Sequence, residues 1–554
     1  MLGWGKSKAE PPKPAPEPAP DVVSDFPRGL PDGNRHKPLA TAQWVSSAAA
    51  HDILGPWEIG RFLIGRDAAG RYAGHIDDRH VLTVSGSRAG KGVSLICPAL
   101  IFWPGSCIAI DPKGELATIT ACRRSDQGSE WAVPMGGKVY VLDPFQRVTG
   151  PAIHYRAAFN PLADLDPETD DGLEMAGQIA DALVMQIEGP GSHWTQSARS
   201  FLRGLILYVA KVEPPASRHL VRVRELVTQG REAFDAMLEH MGKQGGLIAR
   251  TGQSLAAKPA SEKWSVVSTC DVQTDFLEGQ SMRRVLSGHD FKLEDLKAHR
   301  VTVYLCLPAT RLATHGRWLR LMVGLALEAM ERTGPIAEGK PPVLFCLDEF
   351  AVLGHMESIE KAAGHIAGAG GVKLWPVVQD LTQLKRDYRE AWETFMGNAG
   401  LLTFFGNTDL TTLDHISKRL GECEVISTVT NVTEGWQRST GASMPELFAA
   451  LSGKGAGSVN EGSNASGGRN MNESMNRVPL MHPDEIARHF AREAGNILAF
   501  VPHPEIRPVV LHRCAYYGAT DDALFGGLFD PVPGRPPPLT KAAARRARDN
   551  QHSS

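Results

Sequence analysis

The chain lacks the features that mark secreted and membrane-spanning proteins. Its eight cysteines occur singly, with no CxxC pair and no spacing typical of a metal site, which indicates buried thiols in a reducing compartment. No apolar run is long enough for a membrane helix, because stretches such as Val93 to Ile110 are broken by proline and glycine. There is no secretory signal. We therefore expect a soluble, intracellular protein.

The chain also lacks a strong charge of either sign. Lysine and arginine total 59 against 62 acidic residues, a formal net charge of -3. The whole molecule therefore exerts no general attraction on nucleic acid, and any DNA contact has to come from local patches. The 554 residues are enough for two or three domains with substantial cores.

A glycine-bearing turn after the short apolar strand Val81 to Val84 is the strongest functional signal. It ends in Gly90-Lys91-Gly92, where backbone N–H groups and a lysine would converge on phosphate. Ser85 replaces the usual first glycine, and Gly92 stands where a hydroxyl normally reaches magnesium. The alternative is an ordinary turn with an exposed lysine. The candidate phosphate-binding residues are Ser85, Gly86, Ser87, Arg88, Ala89, Gly90, Lys91, Gly92 and Val93.

A second motif follows the apolar run Val343 to Leu347, which ends in Asp348-Glu349. Buried parallel strands are continuously apolar, and ligands collect at their carboxyl ends. Asp348 is then a candidate magnesium ligand, direct or through water, and Glu349 a candidate for polarising the attacking water. The alternative for an acidic pair in this position is a helix N-terminus, but its combination with Lys91 favours a nucleoside triphosphatase.

Short apolar runs that alternate with turns predict an α/β fold with a parallel sheet, interrupted by a segment of helical periodicity. A Pro-rich leader, a Gly/Ser/Asn-rich segment that we expect to be a flexible loop, and a basic tail complete the chain. The predicted units are the disordered leader 1–50, the nucleotide-binding segments 55–165 and 296–520, the helical insertion 166–295, the loop 452–476 and the disordered tail 531–554.

Six motifs together carry a family resemblance over roughly residues 55 to 515. They are SGSRAGKGVS, AIDPKGELATITACRR (Ala109 to Arg124), VYVLDPF (Val139 to Phe145), FNPL (Phe159 to Leu162), LDEFAVLG (Leu347 to Gly354) and VPLMHPDEI (Val478 to Ile486). In this order they resemble the TraG/VirD-type coupling ATPases of type IV secretion and conjugation. GKG is common in that family, so the resemblance removes the objection raised by Gly92.

The resemblance implies a RecA-like P-loop domain with an all-helical insertion that binds ATP and Mg2+. Gln379, after the strand Leu374 to Val378, resembles the family's sensor glutamine, and Gln383 is a weaker candidate; an exposed glutamine without a role is the alternative. Lys418 and Arg419 are candidate suppliers of a cationic finger for a neighbouring subunit; Arg419 is the one we select, with an ordinary helix-surface arginine as the alternative. The segment Asp111 to Glu115 is either part of the nucleotide site or a turn with local ion pairs. Trp194 is either a family feature or a packed aromatic residue.

The resemblance further implies a homo-hexamer that receives relaxase-bound DNA, single-stranded and without sequence preference, or protein substrates, for a secretion channel. Family members carry two membrane helices before the motor domain, and none is visible here. We therefore expect a cytoplasmic protein held at the inner membrane by channel components or a separate anchor protein. The alternatives are a DNA translocase unrelated to secretion and a nucleotide-binding recruitment scaffold that hydrolyses slowly.

Overall fold

The computed structural model describes residues 42–45, 54–185, 192–365, 371–440, 461–501 and 508–532. Seven of its strands form a continuous parallel sheet, and their positions agree with the apolar runs of the sequence. The strands are β1 (Phe62–Arg66), β2 (Tyr72–His75), β3 (His80–Ser85), β4 (Cys107–Asp111), β5 (Lys138–Leu142), β6 (Val301–Cys306), β7 (Val343–Leu347), β8 (Val372–Val378), β9 (Ala399–Phe405), β10 (Glu422–Thr440), β11 (Glu461–Pro479), β12 (Asn496–Phe500) and β13 (Val509–His512).

The main sheet has eleven strands in the order β2-β1-β13-β12-β9-β3-β8-β7-β4-β6-β5. The strands from β9 to β5 pair in parallel, and β12, β13, β1 and β2 extend the sheet in antiparallel pairs. The parallel strands from β9 to β6 are covered on both faces and buried along their length, whereas the edge strand β5 begins with the exposed Lys138. The carboxyl ends of β3, β4, β7 and β8 therefore meet at one edge of the sheet.

Helices connect these strands and form the segment between β5 and β6. A π-helical turn, Gly92–Ile96, leads into the first of them. The α-helices are α1 (Cys97–Phe102), α2 (Glu115–Arg124), α3 (Asp170–Leu183), α4 (Ser192–Val212), α5 (Leu220–Val227), α6 (Arg231–Gly242), α7 (Gly246–Ala256), α8 (Ala260–Thr274), α9 (Gln280–Leu286), α10 (Asp295–Ala298), α11 (Leu312–Arg332), α12 (Glu357–His365), α13 (Leu381–Tyr388), α14 (Trp392–Gly397), α15 (Leu410–Leu420), α16 (Pro483–His489) and α17 (Asp522–Phe525).

The helical insertion comprises α3 to α10. Its first helix begins where the side chain of Thr169 accepts the N–H of Gly172, as an N-cap does. Helical spacing places Ala176, Ile179 and Leu183 on one buried face. This face and the buried side of α4 belong to the same hydrophobic core as one face of the sheet. The insertion is thus packed onto the α/β framework.

A long antiparallel hairpin, β10 and β11, corrects one sequence-based prediction. We expected a flexible loop from Ser452 to Asn476, but residues 461–476 belong to β11, which pairs with β10 from Glu422↔Pro479 to Thr440↔Glu461. The expectation was wrong for these residues because strand pairing, which composition does not report, determines their conformation. Residues 452–460 lie outside the described residues.

Most of the predicted leader and tail also lies outside the residues that the structure describes. Residues 1–41, 46–53 and 533–554 are not described. In the part of the chain that is described, no helix has the length and apolarity required to cross a membrane. All eight cysteines are free thiols and seven are buried, as the sequence predicted.

A buried histidine at the start of β3 links three elements of the framework. The Nε2 atom of His80 lies 3.0 Å from the carbonyl oxygen of Ala362, and the N–H of Leu374 donates to Nδ1 at 3.2 Å. Nδ1 therefore accepts and Nε2 donates, which is the neutral form of the ring. Burial lowers the pKa of His80 to about 4, against the opposing effect of the Ala362 hydrogen bond.

Candidate functional site

The glycine-bearing loop leaves the carboxyl end of β3, which lies between β8 and β9 near the middle of the sheet. The N–H of Gly86 donates to the carbonyl of Phe405 at 3.2 Å. A Cβ atom at Gly86 would lie 1.8 Å from the carbonyl oxygen of Gly406, so only glycine fits there. The loop is therefore held tightly against the end of β9.

The second half of the loop uses left-handed backbone conformations. Arg88 has a φ of 57° and Gly90 a φ of 100°. The N–H of Ser94 and its hydroxyl both donate to the carbonyl of Gly90, at 2.9 and 3.0 Å, and begin a helical run. The leading N–H groups of such a run point toward the loop, where an anion would lie.

Four residues that the sequence selected come together at this edge. Lys91 Nζ lies 2.8 Å from Asp348 Oδ1 and donates to Glu349 Oε1 at 3.2 Å. Gln379 Nε2 donates to Glu349 Oε2 at 3.0 Å. The residues come from the ends of β3, β7 and β8, so the sheet topology creates the cluster. We call Lys91, Asp348, Glu349 and Gln379 the edge cluster.

Burial and charge act against each other in the edge cluster. Burial lowers the pKa of Lys91, but the carboxylates of Asp348 and Glu349 outweigh it, so the net pKa is raised. Burial raises the pKa of Asp348, and the Lys91 charge opposes this effect. Carboxylate oxygens are the ligands that Mg2+ prefers, and a divalent cation beside Asp348 would favour its ionised form. The donor set of the cluster therefore fits a magnesium ion.

Glu349 occupies an uncommon backbone position. Its φ and ψ are 54° and 42°, in the left-handed region, and its N–H donates to Asp348 Oδ1 at 3.0 Å. Such conformations cost energy for a residue with a side chain and concentrate at functional sites. Here the conformation directs Glu349 and Asp348 to the same lysine.

Two supporting residues reinforce Gln379. Gln383, which the sequence offered as the weaker candidate, accepts the N–H of Gln379 through Oε1 at 3.0 Å and so acts on the backbone. Asn407 donates through Nδ2 to the carbonyl of Gln379 at 3.2 Å. Its Oδ1 is buried without a hydrogen-bond partner in the described structure. Sequence reasoning missed Asn407, although its place two residues after β9 was a usable signal.

Arg513, at the end of β13, was also missed. Its guanidinium donates to the carbonyl of Ala89 in the phosphate loop and lies 4.8 Å over the Phe405 ring. Nothing in the sequence around Arg513 indicates this role, because the contact depends on the antiparallel addition of β12 and β13 to the sheet.

The remaining candidates lie outside the edge cluster. Asp111 is buried, and its carboxylate accepts the N–H groups of Ala117 and Lys113 at 2.9 and 3.3 Å. These backbone hydrogen bonds support the structural alternative for that segment, a turn. Arg419 lies 5.2 Å over the ring of Phe500, away from the cluster of its own subunit. Trp194 is half-buried against the hydrophobic core.

Comparison with known proteins assigns the chain to a family. A sequence profile of the type IV secretory system conjugative DNA transfer family matches residues 36–525. The chain belongs to this family.

Curated relatives are about a quarter identical to this chain over the aligned regions. Protein VirD4 of Agrobacterium fabrum is 26% identical over 471 residues, which cover 83% of this chain and 62% of VirD4. The conjugal transfer protein TraG of Escherichia coli is 27% identical over 385 residues, 65% of this chain and 58% of TraG. VirD4 of Rhizobium rhizogenes is 28% identical over 51% of its length. The matches thus span between about half and three-fifths of these relatives.

Solved structures of the coupling protein TrwB share the fold. TrwB in complex with the ATP analogue ADPNP has a TM-score of 0.56 at 15% identity, covering 88% of this chain and 96% of TrwB. TrwB with ADP and Mg2+ has a TM-score of 0.58 at 14% identity, covering 88% and 97%. The predicted fold, a RecA-like P-loop domain with a helical insertion, is confirmed.

Proposed function

We propose that the chain is the ATP-hydrolysing coupling protein of a conjugation or type IV secretion apparatus. The edge cluster carries this proposal, because it places a lysine, two carboxylates and a glutamine beside a loop suited to phosphate. Membership of the conjugative DNA transfer family, and the TrwB complexes with ADPNP and with ADP and Mg2+, support ATP and Mg2+ as ligands.

Each residue of the cluster receives a distinct role. Lys91 would neutralise the outer phosphates of ATP, and the N–H groups of Ser85 to Val93 would surround them. Asp348 would hold Mg2+, which supplies positive charge that stabilises the transferring phosphoryl group. Glu349 would accept a hydrogen bond from the attacking water and orient it, and Gln379 would hold Glu349 and contact the γ-phosphate.

Lys91 is engaged by the carboxylates of both Asp348 and Glu349. A phosphate bound at Lys91 would compete with Glu349 for the N–H donors and the charge of this lysine. A carboxylate that activates water also has to be free to accept a proton. We infer that ATP binding moves Lys91 from Glu349 to the phosphates, which prepares the site for hydrolysis.

The position of Arg419 supports a role between subunits. Its guanidinium lies over Phe500 and not in its own edge cluster, as a finger for a neighbouring copy would. We therefore propose a homo-hexamer in which Arg419 of one copy completes the site of the next. Arginine fingers contribute about 10³- to 10⁵-fold in turnover, so Arg419→Ala should abolish turnover and leave ATP binding intact.

A cavity rich in arginine is our candidate for DNA contact. It has a volume of about 580 Å³, lies between the insertion and the α/β framework, and is lined by Arg199, Arg320, Arg386 and Arg389 together with three acidic residues. Arg386 is exposed and paired with Asp387 at 2.7 Å. Arginines in such a position would hold phosphates of a single strand without reading its bases.

The wider role follows from the family. We propose that the protein receives relaxase-bound DNA or protein substrates and delivers them to the secretion channel. It would work at the cytoplasmic face of the inner membrane, through channel components or a separate anchor protein. Family membership supports this role over a translocase unrelated to secretion.

The decisive experiment measures ATP hydrolysis by the purified protein with no DNA, single-stranded DNA or double-stranded DNA. Turnover that single-stranded DNA stimulates, and that Lys91→Ala and Glu349→Gln both abolish, is the expected result. ATP binding without turnover under any of these conditions would contradict the motor and favour the recruitment scaffold.

A further inference from the structure

The sugar and base of a nucleotide held at the edge cluster would need a second subsite, away from that cluster. In the sheet, β8 and β7 lie on one side of β3, and β9, β12 and β13 lie on the other. Asp348, Glu349 and Gln379 follow β7 and β8, so the γ-phosphate belongs on that side. A nucleotide bound along the loop would then have its sugar and base on the side of β13.

The chain segment after β13 lies directly against the phosphate loop on that side. Arg513 contacts the carbonyl of Ala89, and a Cβ at Gly90 would be only 3.3 Å from the Arg513 guanidinium. The N–H of Tyr516 reaches the carbonyl of Val93 at 3.5 Å. The segment is thus in contact with both halves of the loop.

This segment carries an aromatic pair of unequal exposure. Tyr516 is 2% exposed and its ring packs at 4.8 Å on Phe529. Tyr517 is 39% exposed and meets the Tyr516 ring edge-on at 5.0 Å. The buried ring fixes the segment, and the exposed ring belongs to the residue that directly follows Tyr516, whose N–H contacts Val93 at the end of the loop.

We propose that Tyr517 forms the base subsite of the nucleotide site and stacks on the purine of the bound nucleotide. The inference rests on the proposed function, because it assumes that the loop binds a nucleoside triphosphate. Every base can stack on an aromatic ring, and a purine offers the larger π surface, so a modest preference for a purine over a pyrimidine is expected. Arg513 is a positioning residue in this arrangement, since it holds the loop against β9.

The test compares a ligand with a base and a ligand without one. Affinities for ADP and for inorganic tripolyphosphate, each with Mg2+, are measured by calorimetry on the full chain and on Tyr517→Ala and Tyr517→Phe. We expect Tyr517→Ala to weaken ADP binding about tenfold and to leave tripolyphosphate binding within about twofold. Tyr517→Phe, which keeps the ring, should bind ADP as the parent does, and CDP should bind the parent more weakly than ADP.

The outcomes separate the subsite from the proposed function. Unchanged ADP affinity in Tyr517→Ala, or an equal loss for ADP and tripolyphosphate, overturns the subsite while the phosphate site stands. A parent protein that binds neither ligand overturns both. Thermal unfolding of each variant is measured in parallel, and an intact tripolyphosphate affinity shows that the loop has kept its structure.

Discussion

Replacing Glu349 with glutamine should tighten nucleotide binding while it abolishes hydrolysis. Lys91 donates to Glu349 at 3.2 Å and contacts Asp348 at 2.8 Å. A phosphate group has to compete for this lysine and also approaches the negative charge of Glu349. The substitution keeps the size and the amide contact to Gln379 but removes that charge.

The magnitude follows from the geometry of the Lys91 and Glu349 pair. Two unit charges at this separation interact by about 5 kcal/mol at an effective dielectric constant of about 20. Water screens the pair, because the Glu349 side chain is 28% exposed and the Lys91 side chain 14%. Hydrogen bonds to charged groups contribute roughly 1.5–3 kcal/mol, and the lower end suits this exposure. A gain of about 1.5 kcal/mol corresponds to roughly tenfold tighter binding.

The assay is calorimetric titration with a non-hydrolysable ATP analogue and Mg2+. Glu239→Gln is the matched control, because Glu239 also pairs with a lysine, Lys243, at 2.7 Å but lies in the insertion. The control should bind the analogue as the parent does. Equal or weaker binding by Glu349→Gln would refute the competition between Glu349 and phosphate for Lys91.

Three further predictions test the fold, the loop and the arginine-lined cavity. The folded-state pKa of His80, about 4, lies below the unfolded value of about 6.5, so the unfolded chain binds the proton first. The free energy of unfolding, measured with urea, should therefore fall by up to about 3 kcal/mol as the pH drops from about 6.5 to about 4. The same pH dependence in a His80→Gln variant would contradict this assignment. Gly86→Ala should abolish nucleotide binding because its Cβ has no room, whereas Gly92→Ala should preserve the fold because nothing lies within 4 Å of its Cβ. Thermal unfolding and nucleotide titration check both variants, and equal effects of the two substitutions would count against the loop geometry. Arg386→Ala should reduce the slope of log affinity for single-stranded DNA against log salt concentration by about 0.7. Arg488→Ala removes a similarly paired and exposed arginine outside the cavity and should leave the slope unchanged. Indistinguishable slopes for the two variants would exclude the cavity as a DNA contact.

The sequence predicted the parallel strands because each is a short apolar run that ends in polar residues. It also selected the members of the edge cluster: Lys91, Asp348 and Glu349 because each follows such a strand, and Gln379 through the family resemblance. The antiparallel extension by β1, β2, β12 and β13 was not predicted, because their pairing joins the two ends of the described chain. Arg513 depends on that extension, and the sequence around it gave no signal for its contact with the loop, whereas the place of Asn407 just after β9 was a signal that was not used.

The hairpin of β10 and β11 shows a different limit of prediction from sequence. The strand Glu461–Pro479 is rich in glycine, serine and asparagine, and its composition favours a loop. Its backbone hydrogen bonds come from β10, and pairing between distant segments is invisible to local propensity. The parts of the fold that propensity describes well are those where burial and periodicity agree.

The placement of the insertion has a consequence for how the family diversifies. Neighbouring parallel strands β5 and β6 require a crossover of about 12 residues, and the chain uses a connection an order of magnitude longer. Closing so long a connection costs only about 2 kcal/mol more, because the entropy of closure grows with the logarithm of length. Evolution can therefore lengthen, shorten or exchange the crossover while the register of β5 and β6 stays unchanged. The edge cluster after β3, β7 and β8 is then unaffected.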